Sequence, residues 1–360
     1  MLRPSTVKNG KTYEDNQNPF TDGTVRKAKA TKKKNHSEIS YQPDLPEAGK
    51  YAVYVSYQSL PKSVTDAKYI VYHKGEATEF SVNQRMGGGT WVYLGTFDFD
   101  KGCNTLNRVV VTNQASKRGV VTSDAVRFGG GMGNILRGNN SSGMPRCLEG
   151  ARYYAQWAGA PYHVYGGRKG ANDYADDINT RSLMTNWLGG GSPYMPALQG
   201  KKVPIELSLA VHSDAGYNKD GKTTWGSLAI CTTNFNDGML NSGISRMTSK
   251  DLAKALLKNL VSDLRQQYGE FSERYLWDRN YSETRLPEVP AAIIETLSHQ
   301  SFPDMKIGQD PMGKFTIARS LYKTILRYVC TNHGLPYVVQ PLAPNNFSVE
   351  LDAQGTAHLS

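Results

Sequence analysis

The order of apolar and polar positions divides the chain into two parts. Between residues 38 and 131, β-branched and aromatic residues gather in short runs: "GKYAVYVSYQSL", "AKYIVYHKGEATEFSVN", "TWVYLGTFDFD", "NRVVVTNQ" and "VTSDAVRFGGG". Gly, Asn, Asp and Pro stand between them, and none has a helical period, so each predicts a strand. Five or more short strands in sequence predict a β-sandwich, jelly-roll-like, over residues 37–133.

Beyond the glycine-rich joint "GGGMGNILRGNNSSG" the period changes. "CLEGARYYAQWAG" and "DDINTRSLMTNWLGGG" read as helices, the second with Asp177 and Arg181 at i,i+4 and glycines to stop it. "VPIELSLAVHSDAG", "GSLAICTTN" and "VPAAIIETL" read as strands. "TSKDLAKALLKNLVSDLRQQYGE" is the clearest helix, with Leu252, Leu256, Leu260 and Leu264 every fourth residue, and Thr248 and Asp251 at capping-box spacing. A last helix is expected over residues 313–331. Strands alternating with helices predict an α/β domain with a mainly parallel sheet over 145–335. The expected fold class is α+β multidomain, with residues 1–36 a basic linker or partial segment and 336–360 a strand-like tail.

Composition narrows the class. The chain has 360 residues, 39% hydrophobic and 21% charged, which are values for a folded protein. No stretch approaches the roughly 20 apolar residues of a membrane span, and the N-terminus has no apolar signal core. Four cysteines, Cys103, Cys147, Cys231 and Cys330, are scattered without a CxxC pair. One long-range bridge or four separate thiols both fit that spacing. A formal net charge of +10 raises nucleic acid, anionic glycans and membrane surfaces as partners. Much of it lies in "RKAKATKKKNH" (26–36), read as a solvated linker. Aromatic residues do not interleave there, so no nucleic-acid partner is expected.

Candidate chemistry sits where strands end, because ligands of open α/β sheets bind at the carboxyl ends of strands. "IELSLAVH" ends in His212, followed by Ser213 and Asp214; "PAAIIE" ends in Glu295, followed by Thr296, Ser298 and His299. An imidazole and a carboxylate from two strand ends point to a metal ligand and a general base. Zinc binds neutral imidazole and lowers the pKa of its water to about 7. A carboxylate can then move the proton from that water to a leaving amine. The plainer readings are a hydrogen-bonded core histidine and a glutamate paired with Lys or Arg. Cys231 and Cys330 lack a strand-to-helix elbow, Ser213 lacks a GxSxG context, and Asp176/Asp177 stand at a helix start where acids favour the dipole. The "MGGGTW" turn (86–91) needs glycine for backbone freedom, but lacks the Lys-Ser/Thr and helix of a phosphate loop.

These segments resemble a known family. "IELSLAVHSDAG" is similar to the strand and zinc-binding histidine of zinc-dependent N-acetylmuramoyl-L-alanine amidases. "VPAAIIETLSHQSFPDM" resembles their "PAxLvE" segment with its catalytic glutamate, and "NDYADDINTRSLMTNWL" looks like the helix before the histidine strand. The likeness covers roughly 147–331. The β-rich half resembles the golvesin/xanthan-lyase-type module, carbohydrate-binding-like, and the tail resembles the entry to a fibronectin type III domain. The resemblance implies a peptidoglycan amidase-like hydrolase with Zn2+, His212 as metal ligand and Glu295 as catalytic base. Asp214, His299 and Arg181 are candidates for substrate contact. It also implies peptidoglycan or another bacterial or dietary glycan as partner, and a secreted, periplasmic or surface location.

One departure bears on the metal. The family takes two further ligands, a His and a Glu, from elements that would precede the β module. "MLRPSTVKNGKTYEDNQNPFTDG" holds no histidine, and His36, His73 and His163 lie in no matching motif. The expectation is a fragment of a longer enzyme or a domain whose zinc chemistry is lost. Two alternatives stay open: a glycan-binding surface protein with a degenerate enzyme domain, and a xanthan-lyase-type polysaccharide lyase.

Overall fold

Period-two alternation in the first half builds two facing sheets. The structure, a computed structural model, describes residues 13–17, 24–33, 36–137, 139–342 and 348–359. Nine strands make the β module: β1 (Arg26–Lys29), β2 (Glu38–Tyr41), β3 (Gly49–Ser56), β4 (Ala67–His73), β5 (Glu76–Val82), β6 (Val92–Phe99), β7 (Arg108–Thr112), β8 (Val120–Ser123) and β9 (Ala125–Phe128). One antiparallel sheet runs β2-β7-β4-β5, a second β6-β3-β9, and β1 pairs with β8. In β4, Ala67, Tyr69 and Val71 are buried while Lys68 and Ile70 between them are only partly covered. They join Val53, Val55, Phe99, Val109 and Val111 in one core fed by both sheets. The β4–β5 turn is two residues, Lys74 (φ 49°) and Gly75 (φ 86°), the left-handed pair a tight hairpin demands.

A neutral polar hub ties the module's loops down. The buried Gln84 amide donates to Thr122 O (2.8 Å) and Tyr69 Oη (3.0 Å), and its carbonyl accepts from Thr122 N–H (2.9 Å). Every polar atom of that side chain is thereby used, as a buried amide requires.

The second half holds β10 (Leu136–Arg137) and β11 (Asn140–Ser141), a small hairpin, and then α1 (Ala151–Trp157), α2 (Tyr162–Tyr165) and α3 (Asp173–Gly189). There follow β12 (Ser208–Asp214), β13 (Ser227–Cys231), α4 (Met247–Tyr268), β14 (Glu273–Asp278), α5 (Ser282–Arg285), β15 (Ala291–Ser298), α6 (Phe302–Gln309), α7 (Pro311–His333), and a terminal hairpin of β16 (Val349–Leu351) and β17 (Ala357–Leu359). The strand order of the larger sheet is β12-β15-β13-β14. The fold is mixed α+β. By internal contacts the chain forms two compact units, one running to His212 with Ala229–Ala253 and Leu276–Ile294, the other Ser213–Leu228, Lys254–Tyr275 and Glu295–Ser360.

Several expectations change. The basic stretch is no detached linker in its described part. Arg26–Lys29 form β1, and the Ala30 and Thr31 amides continue the pairing to Gly119 O and Asn113 O. Residues 13–17 likewise dock on α1, where Gln156 Nε2 donates to the carbonyls of Glu14 (2.6 Å), Asp15 (3.2 Å) and Gln17 (3.0 Å). Residues 1–12, 18–23 and 34–35 of that segment, and 343–347 and 360 of the tail, lie outside the described residues. α4 starts at Met247, one residue ahead of Thr248; the Met247 amide bonds Ser245 Oγ at 3.2 Å, and the Thr248 hydroxyl donates to Ser245 O at 2.8 Å. All four cysteines are free thiols, Cys103 exposed and Cys231 and Cys330 buried. Among the described residues, no helix is long and apolar enough to cross a membrane.

Candidate functional site

Both key residues lie inside their strands, not at the ends. β12 continues past His212 through Ser213 and Asp214, and β15 past Glu295 through Thr296, Leu297 and Ser298. Short polar residues disfavour strands by propensity, but hydrogen-bonded pairing overrides them. The His299 amide, for example, donates to Asp214 O at 3.0 Å.

In the first unit, His212 and Arg181 converge on one carboxylate that the sequence reading passed over, Glu283. His212 Nε2 lies 3.2 Å from Glu283 Oε2, and Arg181 Nη1 lies 3.1 Å from Oε1. Arg181 also reaches Asp177, one helical turn back on α3, at 3.6 Å. α3 is set by Asn172, whose side chain accepts the Ala175 amide at its start. α5, the single turn that carries Glu283, is anchored to α3 by Ser182 Oγ donating to Ser282 O at 3.1 Å. Burial pushes the Glu283 carboxyl up, but hydrogen bonds from His212 and Arg181, with their charge, outweigh it and hold the group below the usual carboxylate range. "NYSETRLPEVP" reads as a polar loop, and no spacing links its glutamate to His212. Its one visible signal is the charged quartet "SETR" ahead of an apolar strand.

The second unit holds Asp214, His299 and Glu295. Asp214 is ion-paired with Arg274, whose guanidinium stacks 4.5 Å above the Trp225 ring. Ser213 Oγ sits 3.2 Å from His299 Nδ1. Glu295 is the one half-buried residue in an otherwise buried β15, and its Oε2 is shielded from solvent. Nearby, Asp304, in the first turn of α6, has a structural task. Buried Asp304 accepts the amides of Trp225 (2.6 Å), Gly226 (2.9 Å) and Ser298 (3.2 Å), and the Ser301 hydroxyl.

A catalytic zinc takes three protein ligands. His212 and Glu283 supply two donors, and among the described residues no group of three or more His, Cys, Asp or Glu is placed to hold a metal. The residues present do not fit a zinc ion on their own.

Residues 7–130 match the Golvesin C-terminal domain. The xanthan lyase of Bacillus sp. (strain GL1) is 34% identical over 97 residues, 26% of this chain and 10% of that protein. The solved Paenibacillus xanthan lyase is similar over 29% of this chain and 12% of its own, with 24% identity and a TM-score of 0.24. The N-acetylmuramoyl-L-alanine amidase of Clostridium difficile 630 is similar over 46% of this chain and 77% of its own, with 16% identity and a TM-score of 0.30. This chain thus spans about a tenth of the xanthan lyases it matches and about three quarters of that amidase.

Proposed function

We propose that the chain acts on peptidoglycan through an amidase-type domain that hydrolyses the bond between N-acetylmuramic acid and L-alanine, with Glu295 as the base. The observation that carries this reading is the burial pattern of β15. Seven of its eight residues are buried, and the one half-buried position is a carboxylate. Placing an ionisable group in such a strand costs stability that chemistry at the site would justify. A carboxylate there can take a proton from an attacking water and deliver it to the departing amine, work worth about 10²–10⁴ in rate. The "PAxLvE"-like segment and the histidine strand support the same reading. His212 is the residue that would hold Zn2+, but the donors present do not complete a site, and no step is assigned to the metal. Action on a wall polymer implies a secreted or cell-envelope location.

The experiment is release of new L-alanine amino groups from purified peptidoglycan, with bound metal measured in parallel. Wild-type protein should release them, and Glu295→Gln should lower the rate at least about a hundredfold at unchanged fold. Equal rates would remove Glu295 as base. His212→Ala should lower bound zinc in protein that carries it. The mutual pairing of His212, Glu283 and Arg181 favours a second reading, a glycan-binding protein that does not hydrolyse. Wild-type protein that sediments with peptidoglycan and releases no amino groups would establish it.

A further inference from the structure

The glycine-rich turn at 86–91, which the amidase reading leaves without a task, lines a cavity of the first unit through Gly88 and Gly89. The cavity holds about 730 Å³, within the range of ligand pockets, and opens to solvent between the β module and the segment around Lys201. Its wall carries Tyr57, Arg85, Gly89, Asp124, Lys201 and Lys202. From this juxtaposition of three cations and one carboxylate around a glycine turn, we infer that the cavity binds an acidic oligosaccharide, one whose sugar rings carry carboxylates.

The site is built, not incidental. The partly buried Lys201 ammonium donates to Gly88 O at 2.7 Å and lies 5.0 Å over the Trp187 ring. Its own carbonyl accepts the Gly87 amide at 2.8 Å, so the lysine backbone and the turn hold each other. The turn leaves no room for side chains: a Cβ on Gly88 would stand 2.3 Å from the Ser59 amide nitrogen. One on Gly89, at φ +73°, would stand 3.0 Å from the Lys201 ammonium. Arg85 is fixed through Nε to Ser63 O at 2.9 Å, and Tyr57 Oη donates to Met86 O at 2.7 Å. Among the described residues, no ion pair ties Arg85, Lys201 or Lys202 to a carboxylate. Burial lowers the Lys201 pKa, as expected of an ammonium awaiting a counter-charge.

Asp124 selects among anions. It accepts Ser56 Oγ at 3.1 Å and, by burial, its pKa is raised. A carboxylate in the wall repels a multiply charged phosphate, and no helix N-terminus lines the cavity to offset that. The same carboxylate is a ready acceptor for sugar hydroxyls, while the lysines and Arg85 meet the singly charged acids of the sugar. Three cations and a hydroxyl acceptor therefore suit a polyhydroxylated ligand of modest negative charge.

The test is calorimetric titration of the full chain with tetragalacturonate, cellotetraose and inorganic phosphate. Tetragalacturonate should bind, cellotetraose at least about tenfold more weakly, and added salt should weaken the acidic ligand alone. Lys201→Met, which keeps the packing on Trp187, and Arg85→Gln on the exposed rim should each lower affinity about tenfold. If Lys201→Met fails to fold by circular dichroism, Arg85→Gln and Lys202→Gln decide. Equal binding of cellotetraose, tighter binding of phosphate, no binding of tetragalacturonate, or an affinity unmoved by the folded variants would each overturn the assignment. Peptidoglycan hydrolysis by Glu295 is measured separately and stands or falls without this result.

Discussion

The β module and the helical region that follows it solve the same problem with different groups. In the module the fully buried polar side chains are neutral, among them Gln84, with its amide shared between Thr122 and Tyr69. In the helical region the deep polar residue is charged: Arg152, 3% exposed, ion-paired with Asp15, with Asp173 at 3.0 Å and with Asp176 at 3.8 Å. A buried neutral amide stabilises once its partners are met, whereas a buried ion must first offset a large desolvation cost. The module is thus held by packing and register. In the helical region Arg152 depends on keeping its counter-charges, and the same holds for Glu283 beside His212 and Arg181.

The largest effect expected is at Arg152. Arg152→Met removes the counter-charge of three aspartates and should cost about 3–5 kcal/mol in urea unfolding of the full chain. A loss below 1 kcal/mol would mean that the ions contribute little beyond packing. Gln84→Leu comes next, leaving the Thr122 amide and carbonyl unpaired inside the module, at about 2 kcal/mol. A larger loss than for Arg152→Met would reverse the contrast between the two regions. The smallest effect is at Glu283. Its folded pKa lies below its ordinary value of 4.5, so its contribution is complete above that pH and is lost as pH falls through the folded value. Glu283→Gln should flatten the acid limb of the stability curve, by less than about 1 kcal/mol because Arg181 and His212 are partly exposed. An unchanged acid limb would place the acid sensitivity elsewhere.

What could be read without coordinates followed from local regularity. The leucines of α4 recur every fourth residue, and Leu252, Leu256, Leu260 and Leu264 are all fully buried. Tyr69 and Val71 alternate as a half-covered strand should. Glu283 was not legible, because its position depends on α5 meeting α3, a contact with no trace in spacing. β14 was missed because "ERYLWD" mixes charges with aromatics, and its partly covered pattern has no clean period. Residues 26–29 were misjudged because three cations in four residues read as solvated chain, although the backbone there pairs fully with β8. Asp304 looked like part of a motif, and the structure gives it a mechanical task in holding three amides.

The outer rim of the module follows from that misjudged strand. β1 exposes Arg26, Lys27 and Lys29 along a border that, among the described residues, pairs with no strand but β8, and such a border can act as a template for a foreign strand. Two identical borders brought together would set like charges against each other, so self-association by strand addition is opposed from the start. The cations that suggest a loose tether in sequence instead sit on a paired strand, where their charge disfavours the stacking of like borders.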